Sequence, residues 1–305
     1  MSYPSIAIIL IQANEDISYL IDCLNSINDV DYPNFYIILI NNGVKNLALK
    51  NKIEDNYQFK FKIEFLKSNR NLGFAGGCNL GIKQASAEKT DYIFLLNNDT
   101  IVDCNVLKNL IEFAEIKKGM EIVGPVILKF DTNKIESAGA RTTVWASEFL
   151  NKNNEIHKLR GNYREAEYIS GCAMLISSKI FKIIGLLDEN YYPGLFEDTD
   201  FCYRAKRKGI KSLCLFNSKI WHKGSKSFSR LQYGVRETIW IKNKILFMFN
   251  NFNLYKFIIF LIYVCLKYPL AKKIQNFLKK EKDILLAILN VLKIKILKKS
   301  ERIIK

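Results

Sequence analysis

Apolar residues in this chain follow two alternating patterns, unbroken runs and three-to-four-residue spacing. Residues 6–11 form an unbroken run rich in β-branched side chains, as expected of a strand buried on both faces. Ile17, Leu20, Ile21, Leu24 and Ile27 follow at helical spacing, and Asp31-Tyr32-Pro33-Asn34 makes a turn. A second run, 35–40, closes in Asn41-Asn42-Gly43. Strand, helix, strand and polar loop form a βαβ unit, which calls for a parallel sheet. The pattern predicts a helix over 45–62, a short strand at 63–66 and, after a glycine-rich stretch, a buried strand at 91–96. Further strands are expected at 121–129, 168–176 and 212–216, with a polar, irregular insertion at 131–166. A helix is expected at 199–208, ended by Gly209.

At 305 residues and 49% hydrophobic, the chain suits one large domain with an appendage, or two domains. Charge places the division near residue 230. Residues 231–305 hold 16 Lys/Arg and 4 Asp/Glu, net +12 of the chain's formal +16, so the basic character belongs to the tail and points to an anionic partner. The expected domains are therefore 1–230 and a helical, basic region 231–305. Met1-Ser2-Tyr3-Pro4 lacks the basic start of a secretory leader. The seven cysteines are scattered and odd in number, with no Cys-x-x-Cys, which points to reduced thiols and no zinc site.

Polar motifs follow the strands, and in open α/β sheets ligands collect at strand carboxyl ends. Asn41-Asn42 stands at one such end, although Asn-Asn-Gly is equally an ordinary turn. Gly73, Gly76, Gly77 and Gly81 precede a helix and would allow close backbone approach to a ligand, but they form neither a dinucleotide fingerprint nor a P-loop. Asn97-Asn98-Asp99-Thr100 places a carboxylate among side-chain carbonyls, a donor set for Mg²⁺ or Mn²⁺; the same residues could cap a helix. Glu197, Asp198 and Asp200 follow the Pro193-Gly194 turn, either as first-turn helix acids or as a site for a general base. His157 reads as structural, and His222 as structural or functional in equal measure.

Six motifs in order resemble the inverting family 2 glycosyltransferases of GT-A fold, especially the bacterial rhamnosyltransferase-like branch. They are Asn71-Leu72-Gly73-Phe74-Ala75-Gly76-Gly77, Leu95-Leu96-Asn97-Asn98-Asp99-Thr100, Ser170-Gly171-Cys172-Ala173-Met174-Leu175, Gly185-Leu186-Leu187-Asp188-Glu189, Phe196-Glu197-Asp198-Thr199-Asp200 with Arg204, and His222. The resemblance covers about residues 5–225. It implies a Rossmann-like, mixed but mostly parallel sheet flanked by helices. It also implies metal-dependent transfer from a nucleotide-sugar donor to a glycan or lipid-linked acceptor, in surface polysaccharide synthesis. Asp198 would be the base, with Glu197, Asp200 and Arg204 beside it. Asp99 and His222 would face the metal, and Asn14, Asn41, Asn42, Gly73, Gly76 and Asn98 the nucleotide. Three positions depart from the pattern. Asp99 is the single acid of the metal motif, Asn41 replaces a carboxylate, and Gln12-Ala13-Asn14 replaces the usual Thr-Tyr/Phe-Asn.

In the tail, 235–253 reads as helical. The apolar run 257–266 is too short to span a bilayer, which takes about 20 residues. Residues 271–299 interleave Lys with Ile, Leu and Phe in the manner of a helix lying on an anionic leaflet. The expected location is cytoplasmic, on the inner face of the membrane. A helical cap or a homo-oligomer seam is the alternative, and nucleic acid is not expected because stacking aromatics are lacking. The competing function is a non-catalytic nucleotide- or glycan-binding relative.

Overall fold

The computed structural model describes residues 3–45, 48–143, 147–224 and 235–267, with side chains described to 264. The described residues form two compact units, 3–141 with 147–224, and 142–143 with 235–267.

The first unit is built on parallel strands β1 (Ile6–Gln12), β2 (Phe35–Asn42), β3 (Ile63–Ser68) and β4 (Tyr92–Leu96), in spatial order β3-β2-β1-β4. Alternate residues of one strand enter different cores, and this is why the runs are unbroken. Ile6, Ile8 and Leu10 pack with Leu20 and Leu24 of α1 (Ser18–Asn28). Ala7 and Ile9 pack with Ile82 and Ala85 of α3 (Gly73–Ala87). The expected helix over 45–62 is only α2 (Leu49–Glu54). Beyond it Phe59 and Phe61 stack, ring centroids 5.1 Å apart, and pack on the first core, so the chain leaves the helix to lay two aromatics on the sheet edge.

The sheet continues with β11 (Ala173–Ser177), antiparallel to β4 and to β6 (Ile122–Lys129), and β12 (Ser212–His222), parallel to β6. Three short strands join it antiparallel: β5 (Thr100–Val102) and β10 (Tyr163–Ala166) on β12, and β7 (Ile135–Ser137) on β6. The ribbon of β8 (Ala140–Thr142) and β9 (Ser147–Phe149) stands apart. Three expectations change. Among its described residues the insertion 131–166 holds four short strands, β7 to β10. The strand expected from 168 starts at Ala173, because Ser170–Cys172 closes a turn through the Ala173 N–H to the Ser170 carbonyl at 3.2 Å. The last strand runs to His222 rather than 216, because pairing with β6 resumes after an irregularity at Leu215/Lys219 while β5 takes up its other edge. Helices α4 (Val106–Ile116), α5 (Ser178–Ile184) and α6 (Glu197–Lys206) complete the unit.

The second unit contains α7 (Val235–Asn251) and α8 (Leu254–Lys267), which pack together. Lys244 of α7 is fully buried. Its ammonium donates to the Thr142 hydroxyl at 3.1 Å and the Thr143 carbonyl at 2.8 Å. Among the described residues no helix is long and apolar enough to cross a membrane. The amphipathic stretch expected at 271–299 lies outside the described residues.

Candidate active site

Antiparallel pairing of β11 with β4 sets Ala173 opposite Leu96. The Ser170–Cys172 turn therefore sits over the carboxyl end of β4, where the Asn97 N–H donates to the Cys172 carbonyl at 2.9 Å. The same turn receives Asp198 from α6. The Gly171 N–H donates to Asp198 Oδ2 at 2.8 Å, and the Thr199 N–H and hydroxyl donate to Oδ1 at 2.6 and 3.1 Å. Any Cβ at Gly171 would come within 3.0 Å of the Phe74 ring, so glycine permits this approach. The buried Cys172 thiol is pushed well above its usual range, by burial and then by the charges of Asp99, Glu136 and Asp198.

The three acids of the 197–200 motif differ in access. Glu197 and Asp200 are 5% and 3% exposed, whereas Asp198 is half-buried. Burial raises the Asp198 carboxyl above the usual aspartate range, and the Gly171 and Thr199 donors pull it back. Arg204 is placed beside Asp198 by the family resemblance. Its Nε instead bonds Asp200 Oδ2 at 2.7 Å, and its remaining nitrogens reach the Ile184 and Leu186 carbonyls at 2.7 and 2.8 Å. The Tyr191 hydroxyl donates to the other Asp200 oxygen at 3.2 Å. Asp200 and Arg204 therefore clamp the 184–191 loop rather than reach toward a substrate. Glu197 is raised well above the usual glutamate range by burial and then by Asp198, so it is held as the neutral acid.

The approach to α6 is strained. Leu195 and Phe196 both take φ +77°, a left-handed conformation that costs a non-glycine residue roughly 1–2 kcal/mol. It is held from outside by α3. The Phe74 N–H donates to the Pro193 carbonyl at 2.8 Å, and the Asn79 amide grips the Leu187 backbone and the Glu189 carboxylate. The glycines pack closely against protein here. Gly73, at φ +71°, has no room for a Cβ because the Pro193 carbonyl would lie 2.8 Å away, and a Cβ at Gly76 would meet Leu72 and then Glu189. Gly77 and Gly81 abut Ile11 and Ile9 of the sheet. Protein atoms stand where a Cβ would project from these glycines, and the Phe74–Pro193 hydrogen bond joins the glycine motif to the acidic motif.

Asparagines at the strand ends serve the loops as well. Asn41 accepts from the Val44 N–H at 3.0 Å and donates to the Val44 carbonyl at 3.1 Å. Asn42 donates to the Gly73 carbonyl and accepts from the Leu72 N–H, tying β2 to the glycine loop. Buried Gln12 accepts from Asn98 at 2.6 Å and donates to the Asn14 side chain at 3.0 Å, joining the ends of β1 and β4. These amides line up along one sheet edge and bond the protein's own groups.

Asp99 and His222 meet because β5 pairs with β12, placing His222 opposite Thr100. Asp99 Oδ1 lies 3.3 Å from His222 Nε2. Both atoms are buried and neither has an aligned hydrogen-bond partner. On the other side of the ring, both Glu136 oxygens lie 3.1 Å from Nδ1. Burial alone would lower the His222 pKa, but Asp99 and Glu136 bring it up to about 10. A proton held on Nδ1 by Glu136 would turn the Nε2 lone pair toward the Asp99 carboxylate. With its pKa so raised, the metal-free ring carries both protons and faces Asp99 as an imidazolium, and a divalent cation held by Asp99 and Nε2 would replace the Nε2 proton. The pair fits a hard or borderline divalent ion with a carboxylate and an imidazole, backed by a carboxylate in the manner common for metal-binding histidines. Among the described residues no three His, Cys, Asp or Glu side chains converge on one point, and Asp99 with His222 is the candidate pair. Sequence reasoning did not single out Glu136. Its only signal was an acid in a short polar segment, with nothing local to link it to His222.

Residues 7–184 match the glycosyl transferase family 2 model. The chain is 28% identical over 153 residues to a low-salt glycan biosynthesis hexosyltransferase, Agl10, of Haloferax volcanii, covering 48% of either chain. It is 24% identical over 204 residues to the dTDP-rhamnosyl transferase RfbF of Shigella flexneri, covering 64% of this chain and 62% of that one. The chain thus spans about half to three fifths of the length of these curated relatives. Among solved structures, GalNAc-T7 with UDP, GalNAc and Mn²⁺ superposes with a TM-score of 0.64 at 17% identity, over 81% of this chain and 48% of that one. S. aureus TarS 1-349 in complex with UDP-GlcNAc superposes with a TM-score of 0.59 at 14% identity, over 94% and 80%. These likenesses carry the GT-A fold. With the family model spanning more than half its length, the chain belongs to glycosyltransferase family 2.

Proposed function

We propose that the protein transfers a sugar, with inversion, from a nucleoside-diphosphate sugar to a hydroxyl of a glycan or lipid-linked acceptor in surface polysaccharide assembly. One observation supports this reading: of the three acids, only Asp198 is not fully buried, and it stands at the sheet edge that also bears Asp99 and His222. Asp198 takes the proton of the acceptor hydroxyl as its oxygen attacks the anomeric carbon. The bond from that carbon to the diphosphate breaks, and a single displacement inverts the centre. Asp99 and His222 would hold Mg²⁺ or Mn²⁺, which when bound neutralises the diphosphate leaving group. Gly171 and Thr199 orient Asp198, and Asp200 with Arg204 fixes the loop that delivers it. The likeness to the dTDP-rhamnosyl transferase supports a deoxyhexosyl donor, and the hexosyltransferase relative a hexosyl one. The competing reading, a non-catalytic relative, draws on Asn41, whose amide is engaged with Val44.

Asp198→Asn separates the two. It should bind donor as wild type does, yet lose transfer by about a hundred- to ten-thousand-fold. The wild-type rate should rise with pH through the raised Asp198 pKa, because only the ionised carboxylate accepts the proton. Full activity of Asp198→Asn in a product assay sinks the assignment of the base. A wild-type protein that binds nucleotide sugars with Mn²⁺ in a thermal-shift panel, but turns over none, supports the non-catalytic reading.

Attachment to the inner membrane face is part of the same proposal. On α8, Leu254, Tyr255, Ile258 and Ile262 are 46–72% exposed, an apolar stripe at three- and four-residue spacing. The region 231–305 around it carries net +12.

A further inference from the structure

We propose a second carbohydrate-binding site on the reverse face of the ladder that presents His222. Its floor is the cross-strand pair Ile101 and Trp221, and its wall is Phe130 with Asp131, Thr132 and Asn133 of the turn between β6 and β7. Successive strand residues point to opposite faces, so Trp221 and Ile101 face away from their neighbours His222 and Thr100. The cavity encloses about 340 Å³, at the lower end of the ~300–1,000 Å³ typical of small-ligand sites.

Its lining suits a neutral sugar. Phe130 is 47% exposed, and Trp221 is half-buried against the core. Each ring has an ammonium over it, Lys223 Nζ at 4.7 Å from the Phe130 centroid and Lys219 Nζ at 5.4 Å from that of Trp221. Neither lysine lines the cavity, so each ring is steadied by a cation while ring surface stays open to a ligand. The Thr132 hydroxyl is spent within the turn, donating to the Lys129 carbonyl at 2.9 Å. Asp131, held at φ +55°, and Asn133 are exposed at the rim, a carboxylate and an amide for paired hydroxyls. Among the described lining residues Asp131 alone is charged, and its carboxylate can accept from sugar hydroxyls. A pyranose offers a C–H face to the rings and hydroxyls to the rim. The site would hold a residue of the acceptor or product glycan remote from the reacting hydroxyl. That role rests on the transferase reading, whereas the site itself does not.

Binding tests it without turnover. Saturation-transfer NMR and calorimetry on the full chain would use three probes, an N-acetylglucosamine tetramer, a rhamnose trimer and UMP. A neutral oligosaccharide should bind wild type and Asp198→Asn alike. Phe130→Ala should weaken that binding by about threefold to tenfold, the range for an aromatic contact. Asn133→Ala, on the exposed turn, should weaken it too while circular dichroism and the melting temperature stay unchanged. Trp221→Ala should lose it, with UMP affinity unaltered. The proposal is overturned if neither oligosaccharide binds wild type at millimolar concentration. It is equally overturned if well-folded Phe130→Ala and Asn133→Ala bind as wild type, or if UMP is the probe those variants lose. A wild-type protein that turns over no nucleotide sugar would undo the transferase reading, and an active Asp198→Asn the assignment of the base; either would leave these binding results standing.

Discussion

Glu197 is sealed from water, and its Oε2 has no hydrogen-bond partner. A carboxyl in that setting keeps its proton in the folded chain and releases it more readily when unfolded. Stability should therefore fall as pH rises from the unfolded value near 4.5 toward the raised native one. Glu197→Gln removes the titrating proton, so it should melt higher than wild type at pH 8 and close to it at pH 4; equal melting temperatures at both values would contradict a neutral acid. Asp99 presents the opposite case, a buried carboxylate turned toward an imidazole that faces it without hydrogen-bond alignment. Asp99→Ala should abolish Mn²⁺-dependent nucleotide binding measured by calorimetry. Unchanged Mn²⁺-dependent affinity would remove Asp99 from the metal assignment.

At the scale of elements, α6 arrives at the sheet edge because α3 and the 184–196 loop are locked to one another. Arg204 joins two carbonyls of that loop to the buried Asp200, and removing one member of a buried pair costs about 3–5 kcal/mol. With Arg204 a quarter exposed, Arg204→Ala should lie at about 3 kcal/mol or somewhat less in chemical denaturation. Gly73→Ala strains φ and pushes on Pro193, so it should destabilise by more than about 1 kcal/mol. It should lower transfer more than donor affinity, because it displaces the loop behind Asp198. A Gly73→Ala protein of wild-type stability would mean that the loop yields at no cost, and the docking account would fail.

For the whole molecule, charge and apolar exposure collect in the same region of sequence. The exposed stripe of α8 and the lysine-rich residues after it are the two attractions that peripheral membrane binding uses. Ile258→Ser with Ile262→Ser should reduce partitioning to anionic vesicles by about thirtyfold, since each half-exposed isoleucine has roughly 1 kcal/mol of burial to gain. Raised salt should weaken binding of the intact chain. A protein that ignores anionic vesicles in flotation at low salt leaves the stripe to a cap or a second copy of the chain.

The strands with both faces buried, β1, β2 and β4, and the helices between them were legible because a buried parallel strand writes its environment locally, as an unbroken apolar run. The order of the polar motifs likewise marked the sheet edge and the acidic loop. What tertiary structure decided was partnership. Nothing near His222 in sequence announces Asp99 or Glu136, which reach it through β5 and the strands beside β6. Nothing near Gly73 announces Pro193, and Arg204 could serve either Asp198 or Asp200 by spacing alone. The length of β12 depended on pairing that resumes after an irregularity, and the short strands of 131–166 on neighbours too brief to leave a period. Contacts across eighty or more residues carry no local periodicity, so the chain had to fold before glycine, clamp and metal ligand could be told apart.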